Sequence, residues 1–518
     1  MAGWLNIGQN LKVNAKKFPN TVALKDRMRT FTYPQVNRRV NKLAHSLLSI
    51  GLSKGDKVAV LLENSIEIVE VFLATAKTGI IIVPINFRLV GSEVAYIAEN
   101  SDAKAFIVHD EFTPTVDAIK ADLKNIAADK YIVVGQAAEG YRPYEAFIEN
   151  AADGEPEAEV APADTRILIY TSGTTGKPKG VVRSHESHIA FYLINAADFG
   201  LNEYDVCLNV MPICHINATF FTFTFIYLGG SAYIHPARSF KPEEILEIVE
   251  REKITFISLI PTHYNLILNA SKEAKKHDVS SIRKLICSSA PVRKSMKLAI
   301  MDFFPGVELY EGYGSTEAGI VTILKPEHQL RKLGSIGYET LGTDFVKILD
   351  EDGNEVGIGE VGELYSKGPM LFDEYYKLPE KTAASFQGGW FSAGDMATRD
   401  EEGFYQIVDR KDNMIITGGE NVYPSEIEEV IGSHECVFDC AIVGLPDDKW
   451  GEKVAAVVVR KPGLDESKIN EDTIRQCCQS QMAGFKRPKE IIFIDEKDMP
   501  RTPTGKILHR KLREKFRK

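Results

Sequence analysis

Apolar residues recur at helical spacing through Val36, Val40, Leu43, Ala44, Leu47 and Leu48, and the run Lys57-Val58-Ala59-Val60-Leu61-Leu62 that follows reads as a buried strand. The same alternation continues along the chain. Apolar runs at Ile80 to Ile85, Ala105 to Val108, Tyr131 to Val134, Phe256 to Ile260 and Lys284 to Ile286 are separated by helix-length segments, which predicts an α/β fold with mostly parallel sheets. Ala151 to Asp164, rich in acidic residues and holding two prolines, reads as a surface linker. After Asp409-Arg410 the pattern shortens to a helix (Ser425 to Ile431), strands (Ala441 to Val443 and Val454 to Val459), a helix (near Asn470 to Met482) and a strand (Ile491 to Ile494). That order predicts a compact α+β unit of about 100 residues. The expected organisation is a large, multi-subdomain α/β N-terminal domain over 1–409 and a small C-terminal domain over 410–518.

Just after the linker, the apolar stretch Ile167-Leu168-Ile169 runs into Tyr170-Thr171-Ser172-Gly173-Thr174-Thr175-Gly176-Lys177-Pro178-Lys179-Gly180. Hydroxyls can donate to phosphate oxygens, glycines let backbone N–H groups approach, and the two lysines offset anionic charge. A hydroxyl- and glycine-rich loop at a strand end therefore points to nucleotide chemistry, where a plain solvated linker is the alternative. It is not a Walker loop, because only two residues separate Gly173 from Gly176 and Pro178 follows Lys177 where a metal-binding Ser or Thr belongs. Pro178 also disfavours a helical Lys177, so the loop should not run straight into a helix. The metal ligand must come from elsewhere.

Composition narrows the partners. A hydrophobic content of 44% over 518 residues supports a sizeable core, and the length suggests about three or four domain-sized units. The formal net charge of -10 argues against a nucleic-acid partner, which requires concentrated Lys and Arg. Seven cysteines without Cys-x-x-Cys or Cys/His spacing argue against a zinc site or a disulfide framework and fit a reducing cytoplasm. Met1-Ala2-Gly3-Trp4-Leu5-Asn6 lacks a basic n-region leading into an apolar core, so no signal peptide is expected. Ala218 to Tyr227 is too short and too rich in Thr to cross a bilayer, and the C-terminal end carries no peroxisomal address. A cytoplasmic protein is expected, with its oligomeric state open and a homo-oligomer allowed. From Arg501 onward eight Lys/Arg face one acid, Glu514, offering contact to the phosphates of a small-molecule ligand or a weak peripheral membrane contact; a solvated amphipathic helix is the simpler reading of the distal part.

The loop resembles the signature of the adenylate-forming enzymes: acyl-CoA synthetases, the adenylation domains of peptide synthetases, and luciferases. Five further segments resemble that family's remaining core motifs, in its order. They are Gly312 to Glu317 (GYGSTE), Trp390 to Asp395 (WFSAGD), Asp409 to Asp412 (DRKD), Gly418 to Glu428 (GGENVYPSEIE) and Pro500 to Lys506 (PRTPTGK). The resemblance implies an acyl-CoA synthetase of the fatty acid and aryl acid branch, with ATP, Mg²⁺ and coenzyme A as cofactor and co-substrates and a small carboxylic acid as partner. Two other readings stay open: a stand-alone adenylation enzyme that loads a carrier protein, and an inactive nucleotide-binding regulatory protein. Against the first, the His215 segment lacks the aspartate expected for an amino acid's ammonium; against the second, Glu317, Asp395, Arg410 and Lys506 are intact.

Roles follow for single residues. Thr171, Ser172, Gly173, Thr174, Thr175, Gly176, Lys177 and Lys179 would grip phosphates. Charge builds on the α-phosphorus during adenylation, so a cation must be aimed there. The resemblance makes Lys506 that residue. Glu317 would hold Mg²⁺, a hard cation that prefers carboxylate oxygen. Tyr313 between Gly312 and Gly314 has a ring able to stack on adenine, with Ser315 and Thr316 beside it. Ser289, Ala290 and Pro291 resemble the adenine-lining segment, although Cys287-Ser288-Ser289 stands where glycines are common. Asp395 suits the ribose hydroxyls, and Arg410 can add a donor. The resemblance puts His215 beside the acid's carboxylate, with Ser288 and Gly312 also on the acyl side. It makes Asp412 the hinge on which the small domain turns between half-reactions, and assigns Gly418, Gly419, Glu420 and Lys486 to CoA.

Overall fold

The structure is a computed structural model that describes residues 6–171, 177–236, 238–288, 292, 294–463, 469–479, 481–502 and 507–517. Two compact units emerge. Met1–Leu333, Gly337–Phe345 and Ser366–Phe391 form the first, and Gly334–Ile336, Val346–Tyr365 and Ser392–Lys518 the second. Residues 392–409, which the sequence reading assigns to the N-terminal domain, group by contact with the C-terminal residues.

The first unit holds two large sheets. In one, the strands Val22–Lys25, Ser231–Ile234, Val206–Asn209, Phe256–Leu259, Lys284–Ser288 and Glu308–Ser315 lie side by side in parallel, with the antiparallel Gly319–Leu324 added at the end. In the other, Arg142–Pro143, Tyr131–Val134, Ala103–His109, Lys57–Leu61, Ile81–Pro84 and Thr165–Thr171 are parallel, and Lys179–Ser184 returns antiparallel. The continuous apolar runs of the sequence are these parallel strands, covered on both faces by helices.

Two helices show why the unit holds together. Ile66–Thr78 is buried along its whole length, starts at Ser65, whose hydroxyl accepts from Ile68 N, and stops at Gly79 in the left-handed region. Ile216–Leu228 is apolar nearly all round. Its Phe220 and Phe223 join the core around the N-terminal helices, and its Phe221 and Phe225 pack on Phe256 and Ile286 of the first sheet. Such a helix is stable only when buried.

In the second unit, Trp390–Arg399 pairs antiparallel with Tyr405–Arg410. Val437–Asp447 and Gly451–Arg460 form a long hairpin, and Glu490–Ile494 joins the latter in parallel. Alternate residues divide between two cores: Ile442, Val454, Ala456 and Val458 pack with Ile427 and Ile474, while Ala441, Val443, Ala455 and Val457 pack with Met499 and Leu512. The strand expected over 441–443 is the middle of an 11-residue strand. Gly444 interrupts its apolar run without interrupting its pairing, whereas the register shifts between Val437 and Asp439.

Candidate active site

The phosphate loop joins two antiparallel strands, not a strand and a helix. Thr171 at the end of Thr165–Thr171 is in register with Lys179 at the start of Lys179–Ser184, as Pro178 requires. Ser172, Gly173, Thr174, Thr175 and Gly176 lie outside the described residues. At the loop's base the Thr171 hydroxyl is enclosed and has no hydrogen-bond partner among the described residues, a donor of the kind a phosphate oxygen would satisfy. Lys177 is exposed, with its ammonium 5.6 Å from the centre of the Tyr96 ring.

Lys179 turns the other way. Its Nζ sits 3.0 Å from Glu317 Oε1 and donates to the Tyr375 hydroxyl at 2.6 Å, and that hydroxyl donates to the same Oε1 at 2.9 Å. Glu317 occupies the turn between Glu308–Ser315 and Gly319–Leu324, where Ser315 Oγ accepts from Ala318 N at 3.0 Å. Burial alone would raise the Glu317 pKa, but the charge and hydrogen bond of Lys179, with Tyr375, hold it below the usual carboxylate range. A buried, ionised carboxylate results.

Behind it stands Arg183, fully buried on the same strand as Lys179. Its Nη1 donates to the carbonyls of Thr316 (2.7 Å) and Glu317 (3.2 Å), and Nη2 donates to Met370 O (2.5 Å). Burial lowers its pKa to about 10, so it stays a cation at neutral pH. Tyr313 and Gly312 lie half-buried on the same hairpin arm, and Gly314 is exposed at its end. A Cβ on Gly314 would overlap the Gly319 carbonyl oxygen, whereas one on Gly312 would meet nothing closer than Ile320 Cδ1 at 3.7 Å.

His215 precedes the helix Ile216–Leu228 and its ring takes no part in capping it. Asn86 Oδ1 accepts from Arg88 N at 3.0 Å, so its amide nitrogen faces His215 Nε2 at 3.4 Å. That nitrogen is the acceptor, which leaves the proton on Nδ1. Burial, aided by the nearby Arg88 charge, pulls the His215 pKa down to about 4, so the imidazole is neutral at pH 7. Two residues on, Asn217 donates to Ser288 Oγ at 2.9 Å. Ser289, Ala290 and Pro291 lie outside the described residues.

The second unit carries the rest. Asp395 is buried and directly opposite Arg410 across its hairpin, with Arg410 Nε 2.6 Å from Asp395 Oδ1. The two ribose candidates are thus brought together. Asp412 is exposed in the turn Lys411–Asn413, and its carbonyl accepts from Arg513 Nη2 at 2.9 Å. Gly418 N donates to Trp450 O at 2.8 Å, and a Cβ there would meet the indole at 2.8 Å. Gly419 faces open space and needs to be glycine for its φ of +87°. Glu420 is exposed, and Lys486 pairs with Glu426. Lys506 lies outside the described residues.

The family profile described as AMP-binding enzyme matches residues 11–376, and that described as AMP-binding enzyme C-terminal domain matches 426–506. The chain belongs to the AMP-binding enzyme family. It is 36% identical over 518 residues to the long-chain-fatty-acid–CoA ligase FadD13 of Mycobacterium tuberculosis, covering 99% of this chain and 98% of the relative. It is 34% identical over 506 residues to a feruloyl-CoA synthase of Amycolatopsis, covering 97% of each. The crystal structure of the anthranilate CoA ligase AuaEII with anthranoyl-AMP superposes with a TM-score of 0.90 at 29% identity, covering 99% of this chain and 97% of that one.

In this AMP-binding enzyme, sequence reasoning missed the partners that tune the motif residues. Tyr375 follows the apolar Phe372 like a core aromatic, and Arg183 in Val182-Arg183-Ser184 gives no sign of the carbonyls it will meet. The signal for Arg183 was present: a cation inside an apolar strand must find acceptors. Glu63, His109 and Glu111 also come together, but Arg238 already bonds both carboxylates. No helix among the described residues is long and apolar enough to cross a membrane.

Proposed function

We propose that this protein is an ATP-dependent acyl-CoA synthetase acting on an apolar carboxylic acid: a medium- or long-chain fatty, alicyclic or aromatic acid. It is an AMP-forming acid–thiol ligase that uses ATP, Mg²⁺ and CoA. One acid carboxylate oxygen bonds to the α-phosphorus while the bridge to the β-phosphate breaks and pyrophosphate leaves. The CoA sulfur then bonds to the carbonyl carbon, the bond to AMP oxygen breaks, and the thiol proton goes to solvent.

The observation that carries this reading is the buried, ionised Glu317 held by Lys179 and Tyr375 at the base of the phosphate loop. Its ionised state fits Mg²⁺, which when bound would offset phosphate charge. Thr171 and Lys179 would hold the pyrophosphate side, with Ser172 to Gly176 and Lys177. Asp395 and Arg410 would bind ribose, and Tyr313 would stack on adenine beside Ser289 to Pro291. Neutral His215 would stand next to the acid's carboxylate without adding charge. Lys506 would stabilise charge on the α-phosphorus and then withdraw as the small domain turns at 410–412, with Gly418, Gly419, Glu420 and Lys486 on the CoA side.

The test is pyrophosphate release and thioester formation with CoA across short, medium and long fatty, alicyclic and aromatic acids, with amino acids as controls. Thioester with apolar acids is expected. Strict amino-acid dependence, or adenylate without CoA product, sinks the reading. Lys506→Ala should abolish acid-dependent pyrophosphate release while ATP still binds.

A further inference from the structure

A hydrocarbon acid calls for an apolar wall, yet the wall beside His215 is polar. The parallel strands Val206–Asn209, Phe256–Leu259 and Lys284–Ser288 end close together, at the edge where α/β sheets place their ligands, and Glu308–Ser315 runs on past them. Asn209, Ser258 and Ser288 lie at or near those ends, and Ser288 is in register with Gly312.

A directed chain of hydrogen bonds crosses this edge. Ser258 is 7% exposed and gives its proton to Asn217 Oδ1 at 3.1 Å. A buried hydroxyl must place its proton, which fixes the Asn217 carbonyl toward Ser258 and its nitrogen toward Ser288. Asn217 Nδ2 then donates to Ser288 Oγ at 2.9 Å. Ser288 is half-buried, and the chain ends there with its own O–H still to be given to an acceptor. One strand beyond Ser258, the enclosed Asn209 Nδ2 has no hydrogen-bond partner. Among the described residues the Ser288 hydroxyl and Asn209 Nδ2 are given no acceptor, and a ligand bringing an oxygen would supply one.

We propose that Ser288, at the open end of the Ser258–Asn217–Ser288 chain, is a specificity-determining residue that donates to an oxygen substituent of the acid. The substrate is then a hydroxy-, oxo- or alkoxy-substituted acid on an otherwise apolar skeleton. This rests on the acyl-CoA synthetase reading. The chain acts as a unit: Asn217 polarises the Ser288 hydroxyl as a donor, and Ser258 holds Asn217 in the orientation that does so. A plain hydrocarbon acid would leave these donors buried and unsatisfied, a cost that disfavours it.

The test measures kcat/KM for CoA-thioester formation with matched acids: benzoate against its three hydroxy isomers, cinnamate against 4-hydroxycinnamate, octanoate against 3-hydroxyoctanoate. At least one substituted acid should exceed its parent by about tenfold or more. Ser288→Ala and Asn217→Leu should each remove that preference, lowering kcat/KM for the substituted acid by about tenfold or more relative to its parent. Equal loss for parent and substituted acids would place Ser288 at the reacting carboxylate and overturn the proposal, as would an unchanged preference. Thioester from parent acids as readily as from substituted ones overturns this inference alone. No thioester from any acid overturns the ligase reading with it.

Discussion

Lys179 Nζ lies 3.0 Å from Glu317 Oε1, with the Tyr375 hydroxyl bonded to both. The ammonium keeps the buried carboxylate charged. In Lys179→Met, burial would act on Glu317 with less opposition, and its pKa would rise from below the usual carboxylate range to above it. The acidic limb of Mg²⁺-dependent pyrophosphate release should therefore move to higher pH. Tyr375→Phe should shift it the same way by less. A pH–rate profile with an unmoved acidic limb would remove Lys179 from this role.

Arg183 holds the same turn from behind. Replacing it by Met takes the guanidinium donor from the Thr316 and Met370 carbonyls, each costing about 1–3 kcal/mol, while the Glu317 carbonyl keeps Phe372 N at 2.7 Å. Removing a fully buried cation offsets part of that cost. Stability should fall only moderately, while Glu317 loses its fixed position; a displacement of about 1 Å in such a group can cost about a hundredfold in rate. Arg183→Met should raise the half-saturating Mg²⁺ concentration by about tenfold or more, with Arg183→Lys between it and wild type. A large drop in Tm with unchanged Mg²⁺ dependence would mean that Arg183 serves the core alone.

What the sequence made legible follows from how each element is stabilised. Strands such as Ile81–Pro84 and Tyr131–Val134 are buried on both faces, so composition announces them. Trp390–Arg399 has no such pattern, because seven of its ten residues are partly exposed and its order comes from pairing with Tyr405–Arg410. The motif residues were readable as a set, and Asp395 and Arg410 do meet. Their tuning partners were not readable. Tyr375 reaches Glu317 across 58 positions and Asn86 reaches His215 across 129, and no local pattern carries such pairs.

The two glycines around Tyr313 should behave differently. At Gly314 a methyl group would overlap backbone of the facing strand, which cannot move without breaking the hairpin that presents Glu317. Gly314→Ala should cost stability and all activity. At Gly312 the neighbour is the tip of Ile320, at ordinary contact distance. Gly312→Ala should fold normally, keep ATP binding and shift acid preference toward smaller acids. Thermal unfolding and an acid panel on both variants separate the two cases.

His509 anchors the C-terminal helix through Nε2, 2.7 Å from Glu428 Oε1. Burial opposes its protonation, but the hydrogen bond and charge of Glu428, with Asp409, raise its pKa above 6.5. A raised folded-state pKa gives stability that is fully present below 6.5 and lost as pH climbs through the raised value. Hydrogen-exchange protection of His509–Phe516, corrected for intrinsic rates, should therefore fall as pH rises above 6.5. His509→Gln and Glu428→Gln should flatten that fall. An equal slope in wild type and both variants would exclude this pair as its source.

Asp412 tests the proposed rotation most directly. It sits in a short exposed turn whose ends are held by Lys411 on Glu363 at 2.8 Å and by Arg513 on its own carbonyl at 2.9 Å. Proline there would fix φ and disfavour the helical conformation of Lys411, so the turn would lose the torsional freedom that a large reorientation needs. On the proposed mechanism Lys506 would be present for adenylation and would leave for thioester formation, so a stiffened turn should separate the half-reactions. Asp412→Pro is expected to keep acid-dependent pyrophosphate release within about tenfold of wild type and to lose thioester production by about a hundredfold or more. Asp412→Ala, which keeps φ free, should retain both. Parallel loss of both half-reactions in the proline variant, with its fold intact by circular dichroism, would count against rotation at this turn.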